Sequence, residues 1–401
     1  MKIIEATIHI VSLPNRRHHT WASKMTAPIG RHAILRLGTD QGIEGWGEAP
    51  AGITWGGSAM RYYGESPETV LTVASKFLLP AVAGCDPREI GVIHARMDKA
   101  VKGHPYAKAM VDIACYDLAG RAMGVGVSTL LGGSHRRGIE LTHSLGIMPI
   151  EQCLEEAEQA VSEGALTIKC KTGLDPIRDV ELVRRLRELV GPEIKIRVDG
   201  NEGYSHVAEA VRVTRAQEEY DILLCEQPVA GAEGLAAVAL RIETPVMADE
   251  SAWTVEDIWE LVELGAAEYF SCYVTKPGGL FRARQQAETA RRLGMMCDIG
   301  GSIETGIGNA ANLALGAAVE NAILPSVCPV SGPEGSARPE IAGIYYIDDL
   351  ITVPFGFEDG RVLIPEGPGL GVEVDVAKVK KYSVAEAVGL DLGEGRVRKI
   401  R

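Results

Sequence analysis

Apolar and polar positions alternate over Ile3–Ser12, His32–Thr39 and Gly42–Glu48, the period of two that half-buried strands show. Helical spacing follows. The Ala-rich run Pro105–Gly124 carries apolar residues at helical intervals and ends on a glycine suited to a cap. This mixed stretch reads as an α+β domain over residues 1–132. From Ile139 the pattern changes to short apolar runs alternating with amphipathic segments, as repeated βα units require. Eight strand-like runs can be counted: IELTHSLG, LTIKCK, EIKIRVDGN, ILLCEQP, PVMADES, YFSCYVTK, MMCDIGG and ILPSVCPV. Segments such as DVELVRRLRELVG and TVEDIWELVELG lie between them, and eight successive units favour a closed α/β barrel over residues 133–355. The first βα turn lacks GxGxxG, which weighs against a dinucleotide fold. Beyond about residue 355 the sequence is turn-rich and strand-like, and we expect 356–401 to pack back on the first domain.

Composition narrows the function. A chain of 401 residues, 46% hydrophobic and 24% charged, suits a globular barrel with an extra domain. Its formal charge of -13 argues against nucleic-acid binding, which needs a basic surface, and leaves a small molecule as the expected partner. The first residues lack a signal-peptide layout, and no apolar run reaches membrane-spanning length. The eight cysteines include no CxxC pair and fit reduced, buried thiols, so we expect a cytoplasmic protein without membrane association. A homo-oligomer is expected.

In such barrels the chemistry gathers at the C-terminal strand ends. Three successive strands close on a carboxylate: Asp199 in IRVDGN, Glu226 in LLCEQP and Asp249 in VMADES. A helix cap would explain any one of them. Three on neighbouring strands favour a cation, because converging like charges are costly without one. The all-oxygen set points to Mg²⁺, with Asn201 and Glu250 supporting the ligands. Lysines close two further strands: Lys169 and Lys171, both able to point inward, and Lys276 in YVTKPGG. Two nearby ammonium groups should depress one another's pKa and so create a base. In a ring of eight, strands 2 and 6 are opposed, which sets Lys171 and Lys276 across the mouth from each other.

These residues resemble the muconate lactonizing branch of the enolase superfamily, in the mandelate racemase/muconate lactonizing enzyme family, whose pattern is KxK, Asp, Glu, Asp and Lys on strands 2 to 6. GIEGWGEAP and DIACYDLAGRAMGVGVSTLLGG resemble its entry segments. The resemblance implies a modified (β/α)7β barrel with a capping domain, Mg²⁺ on Asp199, Glu226 and Asp249, and Lys171 and Lys276 as acid and base. Lys169 assists Lys171 and the substrate carboxylate, and Glu304 in GGSIETG matches a family acid. The outcome implied is enediolate chemistry on a small carboxylic or amino acid. One departure bears on the reaction: SVCPVSG offers no carboxylate where cycloisomerases carry Glu on strand 8.

RRHHTWAS, ITWGGSAMRYYGE and KGHPYAKAM further resemble cis-3-hydroxyproline dehydratases. That resemblance implies Trp21 and Trp55 over a small ring, and Asp298 against a substrate ammonium. Dehydration is thus the favoured outcome, with racemisation, epimerisation of an amino acid, proline betaine or dipeptide, and muconate-type cycloisomerisation as alternatives. A hydrolase on this barrel would need a His pair on strand 1, where His143 stands alone. A non-catalytic acid-binding relative would not need both lysines and all three acids.

Overall fold

A computed structural model describes residues 1–22, 29–50, 52, 64–301, 303–330, 339–393 and 398–400. Ile3–Ser12, Arg31–Thr39 and Glu44–Ala49 form three adjacent strands of an antiparallel sheet, continued at its other edge by Val388–Asp391 and Arg398–Ile400. Helix Pro105–Met123 lies against this sheet and is buried on every side from Tyr106 to Gly120, since the barrel covers its other face. Gly124 ends it with a left-handed φ of 68°.

Seven parallel strands then follow in chain order: Thr142–Leu145, Thr167–Lys171, Lys195–Asp199, Ile222–Glu226, Val246–Ala248, Tyr269–Cys272 and Met296–Ile299. We call these barrel strands 1 to 7. The expected eighth run forms no regular strand. It still closes the ring, through parallel bridges Cys297↔Ala322 and Leu141↔Ser326. Pro325 and Pro329 lie within this run and cannot donate to a ladder, which accounts for its irregularity. Among the described residues no helix is long and apolar enough to cross a membrane.

The tail divides, which differs from the expectation that all of it packs on the first domain. Phe357–Glu358 and Arg361–Leu363 form a hairpin that pairs with Gly138–Glu140 at the barrel entry. Asp359 and Gly360 turn it with φ of 48° and 72°, as an Asp-Gly hairpin turn requires. The later part packs on the first domain, where Ser383 bridges Val11 and Val388–Asp391 pairs with Ile3–Ser12.

Three contacts fix the first domain onto the barrel loops. Trp253, just after strand 5, is buried in the core of the first domain. Asp112 accepts the backbone N–H of Leu280 at 2.6 Å and thereby caps helix Leu280–Arg292 after strand 6. Any side chain at Gly279 would strike it, with a Cβ only 2.3 Å from its carboxyl carbon. Glu48 accepts from Thr305 N (2.8 Å), Thr305 Oγ1 (2.7 Å) and Gly308 N (2.7 Å), which caps helix Gly306–Ala318 after strand 7.

Beside Glu48, Asp349 accepts from Gly306 N at 2.8 Å while its Oδ2 is buried without a partner. Burial, with Glu48 and Asp348 nearby, pushes its carboxyl up to about 7. Because the folded pKa lies above the unfolded one, the protonated group stabilises the fold at low pH and that contribution is lost as pH rises to about 7. Asp349→Asn should therefore match the wild type near pH 4 and gain on it progressively up to neutrality. Urea midpoints across that range test this, and a constant offset would contradict it.

Candidate functional site

Strands 2 to 4 place their charged ends in register, Lys171 beside Asp199 and Asp199 beside Glu226. One layer deeper, Lys169 pairs in register with Arg197. All of these side chains are buried. Lys169 Nζ lies 2.6 Å from Asp199 Oδ2 and donates to Glu226 Oε1 at 2.7 Å. Lys171 Nζ donates to Asp199 Oδ2 at 2.6 Å and to Asn201 Oδ1 at 2.8 Å. Asn201 Nδ2 in turn donates to Glu250 Oε1 at 3.0 Å, and Lys276 Nζ bonds the carboxylate and the carbonyl of Asp249. The expected lysines and acids thus form a network from Glu226 to Glu250, with the Lys276–Asp249 pair beside it as Glu250's neighbour in sequence.

The expected convergence of three carboxylates on one point is not seen among the described residues. Among the described residues no three His, Cys, Asp or Glu side chains stand grouped for an ion, because cationic side chains are interposed between the acids. The donor set nevertheless fits a hard cation, being oxygen throughout. Glu250 Oε2 is buried beside this set without a hydrogen-bond partner. Burial, together with Asp249, Asp199 and Glu202, holds its carboxyl well above the usual range. An added positive charge would relieve that.

The expected mutual depression of the two lysines also gives way, at Lys169. Burial alone would lower its pKa, but Asp199 and Glu226 outweigh burial and raise it. Asp199 is held low despite burial by Lys169 and Lys171.

A small cavity opens over this cluster. Lys169 and Lys171 line its floor, and its walls carry the rings of His19, Trp21, Tyr106, Tyr273 and Tyr345. Trp21 is where it was expected, with Lys171 Nζ 5.8 Å from its ring and its own Nε1 buried and unpartnered. The His19 ring lies tilted against Tyr345 with centroids 4.8 Å apart, and burial with Arg17 and Lys171 lowers its pKa and so favours the neutral ring. Trp55 lies outside the described residues.

Three expectations need correction. Asp298 does not face the cavity: Arg197 Nη1 (2.9 Å) and Ser271 Oγ (2.8 Å) occupy it within the barrel. Lys276 lies in a turn four residues past strand 6, which ends at Cys272. Glu304 is buried, its carboxylate beside Gly301 at the cavity edge, and does not itself line the cavity.

His143 uses both ring nitrogens, with Glu156 (2.9 Å) and Gly343 N (3.0 Å), which leaves it no free nitrogen as a hydrolase ligand. Sequence reasoning missed Arg197, which joins Glu226 (2.6 Å) to Asp298. An arginine two residues before Asp199 on an inward-facing strand was the signal for it.

A capped parallel barrel with acids and lysines gathered at its mouth has the layout of an enzyme that acts on a small molecule. The family models agree. Residues 4–132 match the mandelate racemase/muconate lactonizing enzyme N-terminal domain, and residues 152–379 match the enolase C-terminal domain-like model. Muconate cycloisomerase 1 of Rhodococcus opacus is 33% identical over 96% of this chain and 99% of its own length. The crystal structure of the N-succinyl Arg/Lys racemase of Bacillus cereus superposes with a TM-score of 0.87 at 27% identity, covering 97% of this chain and all of that one. A dipeptide epimerase of Enterococcus faecalis, solved with Mg and L-Leu-L-Tyr, gives 0.82 at 30% identity over 93% of this chain and 100% of its own. The chain belongs to the muconate lactonizing enzyme-like branch of the enolase superfamily.

Asp298→Asn should lower stability by about 3 kcal/mol, the cost of breaking a buried ion pair from one side. Chemical denaturation measures it. Unchanged stability with only weakened substrate binding would restore Asp298 to the substrate site.

Proposed function

We propose that this chain is a magnesium-dependent enzyme that removes the α-proton of a small carboxylic acid, with Lys171 and Lys276 as its acid/base pair. The observation that carries this reading is a ring-walled cavity floored by two lysines anchored on Asp199 and Glu226. Asp199, Glu226 and Asp249 would hold Mg²⁺, with Asn201 and Glu250 beside them. The bound ion supplies a Lewis acid that takes up the second negative charge of the enediolate. Lys169 meets the substrate carboxylate with a fixed positive charge. Asn201 and Asp199 orient the Lys171 amine toward the α-hydrogen, and the aromatic walls exclude water. All eight thiols are buried and free, which supports a cytoplasmic setting.

The favoured outcome is dehydration of cis-3-hydroxyproline or a related cyclic amino acid. In the cis isomer the hydroxyl and carboxylate share a ring face, so the α-hydrogen lies opposite the hydroxyl and anti elimination is open to it. Ring faces of the cavity replace Asp298 as the partner for the ring ammonium. The second reading is racemisation or epimerisation of an amino acid, proline betaine or dipeptide. It is supported by a cavity that no carboxylate lines among the described residues, and by relatives named as racemase and epimerase.

Mg²⁺ should raise the melting temperature of wild type but not of Asp249→Ala; equal shifts in both would remove the metal assignment. Lys171→Ala should cut turnover by about 10³-fold, the range of a lost general base, with the Mg²⁺-induced shift retained. Supplying cis-3-hydroxyproline, proline, proline betaine and cis,cis-muconate separates the outcomes by NMR. Imine from the first supports dehydration. Inversion of the betaine moves the conclusion to epimerisation, and cyclisation of muconate alone overturns both.

A further inference from the structure

His19 lines the same cavity as Trp21, with its ring centroid 5.9 Å from the Trp21 ring. Its Nδ1 lies 2.9 Å from Arg17 Nη1. A guanidinium carries N–H donors and no acceptor, so in this pair the imidazole nitrogen must accept. Arg17 has no freedom to turn its fork away. Its Nε and Nη2 each donate to the Glu156 carboxylate at 2.6 Å, Nη2 also to Ser144 O at 3.3 Å, and Nη1 also to His18 O at 3.1 Å. Glu156 is fixed in turn by Arg16 and His143, each at 2.9 Å. Burial would raise its carboxyl, but hydrogen bonds from His143, Arg17 and Arg16 outweigh burial and keep it ionised.

We infer that Arg17, anchored on Glu156, locks His19 into the neutral tautomer protonated on Nε2, and that this N–H donates to a substrate oxygen other than the carboxylate. The inference deepens the enzymatic reading above and rests on it. A neutral imidazole has one donor nitrogen and one acceptor, so a ring that accepts at Nδ1 donates at Nε2. Among the described residues nothing takes up that nitrogen. Burial, Arg17 and Lys171 lower the pKa of the ring well below its ordinary value, which keeps a second proton off Nδ1. Trp21 supplies another neutral donor to the cavity, since its Nε1 is buried without a partner. Covering such donors with a molecule that cannot accept leaves them unsatisfied, at a cost in affinity. Proline and its betaine have no acceptor beyond the carboxylate; a hydroxylated ring acid has one. His19 is thus a specificity residue, and Arg17 is a positioning residue that acts through it.

Nitrogen-15 NMR of the histidine side chains, with Mg²⁺ present and no substrate, tests the lock directly. The chain has nine histidines, and the His19 signal is the one lost in His19→Phe. Near neutral pH it should report a neutral ring protonated on Nε2, and in Arg17→Met a mixture of both tautomers, with circular dichroism confirming the fold. A ring protonated on Nδ1 in wild type, or an unchanged tautomer in Arg17→Met, overturns the proposal. A second arm measures binding by calorimetry with Mg²⁺, in the Lys171→Ala background where turnover is suppressed. cis-3-Hydroxyproline should bind about tenfold more tightly than proline, a difference of about 1.4 kcal/mol. Adding His19→Phe, which keeps a ring without an N–H, should abolish that preference, and His19→Gln, whose amide can donate, should restore part of it. Equal binding of the two acids before His19 is changed, or a preference that survives His19→Phe, overturns the proposal. The expected tautomer with neither acid bound instead counts against the functional reading and leaves the lock standing.

Discussion

Everything at the barrel mouth depends on mutual neutralisation of buried charge. Lys169, Lys171, Arg197 and Lys276 share a buried space with Asp199, Glu226, Asp249 and Asp298. Each ion taken from water costs several kcal/mol, and only close opposite partners return it. No member is dispensable, because removing one strands its neighbour. Such a cluster is a poor way to stabilise a fold, and apolar side chains of equal volume would serve as well. Its retention is explained by chemistry: it keeps amines and carboxylates within 3 Å of one another, poised to exchange partners when another charge enters.

The first domain is part of that arrangement. Its core takes Trp253 from the loop after strand 5, Asp112 caps the helix after strand 6, and Glu48 caps the helix after strand 7. Asp249, Lys276 and Glu304 lie on those three loops, outside the regular strands that hold Lys171, Asp199 and Glu226. A strand end is fixed by its ladder; a loop needs another anchor. The capping domain supplies it through buried hydrogen bonds, so the geometry of half the site is set by residues more than a hundred positions away in sequence.

That division explains what was legible in the sequence. Lys169, Lys171, Asp199 and Glu226 could be read because a charged residue closing an apolar strand in a βα unit has few places to go. Asp298 carried the same signature and was misread. Alternation gives the face of a strand, not the height along the barrel, and Asp298 in register with Ser271 lies low enough for Arg197 to claim it. The cavity walls left no local pattern, since His19, Tyr106, Tyr273 and Tyr345 come from four distant segments. The eighth run read as a strand because its apolar content is that of one, yet its prolines deny it a regular ladder.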